Sequence, residues 1–192
     1  ISFIKNQDLT SQTTVNYLKL IQLLTSSALF IVPILSYSYL IDFDLKFNII
    51  SRQSIILVIT IMMLVNPFVG LLLDWNMKIN FPDWLLDFDR NSELIIEAFL
   101  RMNNSWDLLY NLLVIAVIPA IWEELIFRGY LQKVTTNWLK NPHVAILITA
   151  FLFSVIHLHF QGMIPRFFLG ALLGYLYYWS SNLWLPVLAH FV

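Results

Sequence analysis

The chain has 192 residues, 59% of them hydrophobic and 12% charged, with a mean hydropathy of +0.73 and a formal net charge of −1. Soluble domains run near ~45–50% apolar and ~25% charged, so the composition predicts a multi-span membrane protein and shows no electrostatic footprint for nucleic acid. There is no cysteine, which excludes disulfides, thiolate nucleophiles and thiolate metal sites.

Residues 1–13 are mostly polar and are expected to be flexible or interfacial. A first apolar segment runs from about Val15 to Ile41, with Lys19 its single charge and Pro33 a possible kink. It exceeds the ~20 residues that a membrane span needs. Asp42, Asp44, Lys46 and Arg52 mark a short polar link. A second segment runs from about Ser54 to Leu73, with Pro67 and Gly70 inside it. Residues 74–105 carry many charges. Pro82 to Leu86 reads as a loop or interfacial turn. Glu93 to Met102 reads as a short amphipathic helix in the headgroup region, with Ile95, Ile96, Phe99 and Met102 on one side.

A third segment runs from Trp106 to about Gly129, and Thr135 to Asn141 then read as a polar loop. A fourth runs from Pro142 to Phe160, a fifth from Arg166 to Trp179, and a sixth begins at Leu183. Gly170 and Gly174, four apart, would let another helix approach closely. The expected architecture is an all-α, polytopic membrane helix bundle of about six spans, the last truncated, with one interfacial amphipathic helix. The start at Ile1 and the end at Val192 inside an apolar run lead us to expect a piece of a longer protein. Lysines and arginines fall on both sides of any orientation, so the positive-inside rule gives no topology.

The third segment holds the chain's most costly residues. Glu123, Glu124 and Arg128 follow a run from Leu112 to Ile118 that has no charge, and a buried carboxylate must be paired or hydrated. Glu124 and Arg128 are four apart on one helix face, acid before base, the favourable order for an ion pair. Glu123 lies about 100° around the helix, in line with Phe127, and has no partner in its own helix. A carboxylate in that position can act as a general base near neutral pH. The alternative is a polar cluster that ties helices together. Pro119, four residues before Glu123, frees a backbone carbonyl.

In the fourth segment Phe153 and His157 share a face, and His157 could line a cavity with Glu123; the alternative is a histidine bonded to a backbone carbonyl. His159 reads as interfacial and His143 as solvated. In the sixth segment His190 follows Pro186 at the same four-residue spacing. One acid and two histidines on three helices make a water-activating or metal-binding constellation. The chain has no His-Glu-x-x-His, no Gly-x-Ser-x-Gly and no glycine-rich phosphate loop.

Glu123-Glu124-x-x-x-Arg128, Phe153-x-x-x-His157 and His190 in a final proline-bearing helix resemble, in order, the three motifs of the CAAX-protease and bacteriocin-processing (Abi) family of intramembrane endopeptidases. The resemblance covers about residues 105–192, a catalytic core truncated at its C-terminus. Residues 1–104 would be variable N-terminal membrane segments and the interfacial helix, and the whole one integrated membrane domain. The resemblance implies that Glu123 activates the hydrolytic water, that His157 positions it, and that His190 stabilises the oxyanion. Glu124, Arg128 and Phe153 would support them. The family's third motif continues with an Asn or Asp four residues after the histidine, past Val192.

The expected reaction is hydrolysis of a peptide bond by activated water, in a cavity formed by the third to sixth segments, without a covalent intermediate. No cofactor is expected; were zinc bound, its ligands would be Glu123, His157 and His190. The expected partners are a peptide or membrane-protein substrate and the lipid bilayer, not nucleic acid. The Ile-, Leu- and Asn-rich composition points to a bacterial cytoplasmic membrane. Two other readings stand beside this one: a non-catalytic protein of the same fold acting in bacteriocin immunity or as a scaffold, and a proton-coupled transporter.

Overall fold

A computed structural model describes residues 11–40 and 45–192, and every element among them is helical. The readings made for residues 1–10 and for Asp42 and Asp44 lie outside them. Helix α1 spans Gln12–Leu40, α2 Arg52–Met77 and α3 Asp83–Leu100. Helix α4 runs unbroken over Ser105–Leu139. After it come α5 (Pro142–Ile156), a 3₁₀ turn (Phe160–Gly162), α6 (Met163–Ser180) and α7 (Trp184–Phe191).

Among the described residues three stretches are long and apolar enough to cross a membrane: Gln12–Ile34, Arg52–Met77 and Ser105–Leu139. Large apolar side chains such as Leu24, Leu64 and Leu71 stand exposed on α1 and α2. A soluble monomer rarely leaves such continuous apolar faces open, and lipid covers them at no cost. This is an integral membrane protein.

Apolar clusters join the helices. Ile34 of α1 meets Leu125 of α4, Tyr177 and Leu183. Val58 of α2 meets Leu173 and Leu176 of α6 and Ala189 of α7. Val15 of α1 packs with Ala98 and Phe99 of α3. Lys19, the lone charge of α1, is fully buried there. Its Nζ donates to Asn111 Oδ1 at 2.6 Å and lies over the rings of Phe99 and Tyr110, at 5.7 and 5.8 Å. These contacts replace the water that a buried ammonium loses.

Helix α4 accommodates Pro119 by widening. Leu112–Val117 form π turns, and the Ile118 amide donates to the Leu113 carbonyl five residues back. Proline has no N–H for the carbonyl four residues before it and its ring crowds that carbonyl, so the wider turn relieves both faults. A second π stretch, Leu125–Leu131, begins just after Glu124.

Several boundaries differ from expectation. Residues 135–139 continue α4 and are not loop; Thr136 Oγ1 donates back to the Gln132 carbonyl at 2.6 Å, satisfying its polarity within the helix. The turn to α5 is only Lys140, in the left-handed region (φ 55°), and Asn141, whose side chain accepts from the His143 and Val144 amides. Helix α3 starts at Asp83, so the residues from Asp83 to Leu86 are helix, not turn. Its buried side is Asp89, Ala98 and Phe99, whereas Ile96 and Met102 are exposed. Asp89 turns inward because it has backbone amides to bind. Helix α5 ends at Ile156, four residues early.

Helices α5 and α6 make the closest pairing. A methyl group added at Gly170 would sit 3.2 Å from the Ala150 Cα, and one at Gly174 would sit 2.9 Å from Ile146 Cγ2. The glycine pair therefore sets the backbone approach, as its spacing suggested.

Candidate active site

Three residues spaced one turn apart on α4 form a polar ladder, two of them bonded to α6. Glu124 Oε1 accepts from Arg128 Nη1 at 2.9 Å, with both side chains fully buried. Arg128 Nη2 donates to the Gly170 carbonyl at 2.8 Å, and Gln132 Nε2 to the Gly174 carbonyl at 3.0 Å. The glycines that bring α5 close also bare these carbonyls. Gln132 escaped the sequence reading, although its spacing from Arg128 matches that of Gly170 and Gly174.

Phe153 stands between this ladder and the histidines. The Arg128 guanidinium lies 4.8 Å from its ring centre. Edge-on contacts join the same ring to Phe127 (5.1 Å), His157 (4.9 Å) and His190 (5.7 Å). This fixes the orientation of both imidazoles.

His157 is the C-cap of α5, at the helix end and not inside a span. Its Nδ1 lies 2.6 Å from the Phe153 carbonyl, which can only accept, so Nδ1 carries the proton and Nε2 faces away. His190 Nδ1 lies 2.8 Å from Glu124 Oε1, so Glu124 holds both Arg128 and His190. Glu123 reaches around to the other side. Its Oε2 is 3.6 Å from His157 Nε2 and 3.8 Å from His190 Nε2, and it is buried with no hydrogen-bond partner. All six expected site residues thus meet in one place. The bond from His190 to Glu124 was not expected.

The histidines open on a cavity of about 500 Å³. Its walls come from α2 (Ile59, Met62, Met63, Asn66), α5, α6 and α7. The expected third-to-sixth arrangement therefore needs correction: no residue of the third segment lines the cavity, and the second supplies one wall. Its apolar face packs on α6 and α7, which brings it beside the histidines.

The link after His157 is tied down by residues from the N-terminal half. Leu158 is left-handed (φ 50°), a conformation that costs a non-glycine residue about 1–2 kcal/mol. Asp89 accepts from the Phe160 and Gln161 amides, both at 2.7 Å. Asn76 donates to the Phe160 carbonyl and accepts from the Ile164 amide, both at 2.8 Å. Those bonds replace a further helical turn, which is why α5 stops before Phe160. Sequence reasoning missed both residues, whose partners are main-chain groups. His159 is not merely interfacial: its carbonyl accepts from Arg166 Nη1 at 3.2 Å and its ring Nδ1 is buried. His143 is exposed, as expected, with Nδ1 3.2 Å from the Tyr175 hydroxyl.

A zinc ion with bonds of ~2.0–2.1 Å would hold its ligand atoms ~3.3 Å apart. The two Glu123–histidine separations are wider, 3.6 and 3.8 Å, and no three His, Asp or Glu groups among the described residues are arranged to hold a metal ion. As placed, these three side chains stand wider apart than zinc ligands would.

Residues 105–192 match the family model described as Rce1-like, type II CAAX prenyl endopeptidase. The chain is also similar to the uncharacterized protein YpbD of Bacillus subtilis (strain 168), with 27% identity over 86 residues, 43% of this chain. The match spans 41% of that relative's length. No solved structure matches the chain. The matched segment holds Glu123, Glu124, Arg128, Phe153, His157 and His190, and over residues 105–192 the chain is similar to the Rce1-like CAAX-protease family.

Proposed function

We propose that the protein is an intramembrane endopeptidase that hydrolyses a peptide bond with water activated by Glu123. The observation that carries this reading is the approach of Glu123 Oε2 to the Nε2 atoms of two histidines from different helices, at 3.6 and 3.8 Å. Glu123 takes the proton as water attacks the scissile carbonyl. His157, its Nδ1 committed to Phe153, offers Nε2 as a second acceptor that orients the water. His190, its Nδ1 committed to Glu124, donates from Nε2 to the oxyanion in its doubly protonated form. Glu124 and Arg128 hold His190 in place. The proton on Glu123 then passes to the leaving amine. The mechanism uses no cofactor and forms no covalent intermediate.

On this reading residues 105–192 are the catalytic core of one integrated membrane domain. The bundle crosses the membrane about six times, with the shorter helices α5, α6 and α7 as spans beside α1, α2 and α4, and α3 lies in the headgroup region. The site is in a bacterial cytoplasmic membrane, and its substrate is a leader peptide or a membrane protein.

The test is cleavage by the full-length protein and its Glu123→Ala and His157→Ala variants. Both substitutions should abolish product, and activity that survives both excludes the mechanism. If Glu123→Ala preserves the cellular effect, the protein is a non-catalytic immunity factor or scaffold. A flux that follows membrane potential would instead identify a transporter.

A further inference from the structure

We infer that Arg166 is an anion anchor in the cavity, and that it takes a carboxylate carried by the peptide substrate. The inference rests on the protease reading and deepens it by naming a feature of the substrate. Arg166 lines the same cavity as His157 and His190. A guanidinium in a membrane protein needs compensation, and the two arginines near the site differ in how they get it. Arg128 has Glu124 and the Gly170 carbonyl at 2.9 and 2.8 Å. Arg166 has the His159 carbonyl at 3.2 Å, and among the described residues no Asp or Glu lies within ion-pair distance of it. Asp89 and Glu123 are near enough to influence its charge. However, both Asp89 oxygens already hold the Phe160 and Gln161 amides.

Gly162 lets the link pack tightly against Arg166 and His159. A methyl group there would lie 3.3 Å from Arg166 Nη2 and 3.0 Å from His159 Nδ1. That Nδ1 is buried and has no hydrogen-bond partner. The Arg166 guanidinium is thus packed beside the His159 ring while it lines the cavity. A carboxylate in the cavity would accept from the Arg166 guanidinium. Met62, Met63, Leu169 and Leu173 supply apolar walls for the side chains beside it.

Two sources fit this chemistry, the free C-terminus of a peptide or an acidic side chain. Short fluorescent peptides of mixed aliphatic sequence would be made in three forms: free acid, carboxamide, and carboxamide with Glu as the last residue. Binding to full-length Glu123→Gln protein in detergent micelles and cleavage by the wild type would both be measured. One or both carboxylate forms should bind ~10-fold or more tightly than the plain carboxamide, the range of a hydrogen bond to a charged group, with the difference in KM rather than kcat. Arg166→Gln keeps a donor for the His159 carbonyl and should bring the ratio to about one, while Arg166→Lys should retain part of it. A preference for the free acid assigns the C-terminus; a preference for the Glu form assigns a side chain. Equal binding of all three forms, or of none, overturns the inference, and so does a preference that Arg166→Gln leaves intact. Carboxylate-selective binding without cleavage by the wild type would sink the protease reading and leave the anion site standing. Cleavage indifferent to the carboxylate would do the reverse.

Discussion

The two sides of Phe153 hold similar polar groups under opposite conditions. On one side Arg128 has a carboxylate and a carbonyl, Glu124 has Arg128 and His190, and Gln132 has the Gly174 carbonyl. On the other side Glu123 approaches two histidines without reaching hydrogen-bond distance, beside a cavity. Compensated charge in a low-dielectric interior holds helices together and has little left to offer a reactant. On the Glu123 side the two histidines also line the cavity, and there a water or a peptide can be bound and polarised.

The largest effect should come from the open side. Glu123→Gln should lower cleavage ~10²–10⁴-fold, the contribution of a positioned general base, while thermal stability in detergent stays within about 0.5 kcal/mol. A large loss of stability would mean that the two sides are not distinct. The closed side should give the opposite result. Glu124→Ala leaves the Arg128 charge poorly paired and should cost about 3–5 kcal/mol, read as lost folded yield and a lower Tm. Pairing it with Arg128→Met should recover part of that stability, since no buried charge is then stranded. Without that recovery, the ladder is not an ion pair in the energetic sense.

The clamp from the N-terminal half comes next. Asp89→Ala strands the Phe160 and Gln161 amides and should cost about 1–3 kcal/mol, with cleavage reduced because the link after His157 loosens. Unchanged kcat with lowered stability would separate the clamp from the site. Gly174→Ala should cost a similar about 1–3 kcal/mol through overpacking against Ile146, with a smaller loss of activity. The smallest expected effect is that of a chelator. Cleavage should be unchanged after treatment with a strong zinc chelator, and loss restored by added zinc would overturn the metal-free mechanism.

Much of this site could be read before any coordinates. The four-residue spacing of Glu124 and Arg128 placed them on one face, and they are paired at 2.9 Å. The offset of Glu123 by one residue turned it away from that pair, toward the histidines. The glycine spacing on α6 announced a close helix. The bond from His190 to Glu124 was out of reach, because it joins residues 66 apart in the chain. Asp89 and Asn76 were hidden for the same reason, since their partners are main-chain groups that carry no sequence signal. The ends of α4 and α5 were misjudged where a local preference met a tertiary contact. Polar residues 135–139 read as loop, and apolar residues up to Phe160 read as helix.

By itself the sequence determined the environment, the helical class and the split between the two glutamates. These follow from hydropathy and from the 3.6-residue period, which act along the chain. Only the tertiary structure decided what each glutamate faces. It set Glu124 against Arg128 and His190, set Glu123 against the Nε2 atoms of two histidines, brought in a cavity wall from α2, and left Arg166 with no acid at ion-pair distance among the described residues. Those outcomes depend on how helices distant in sequence cross, and crossing is settled by packing and by the pairing of buried polar groups.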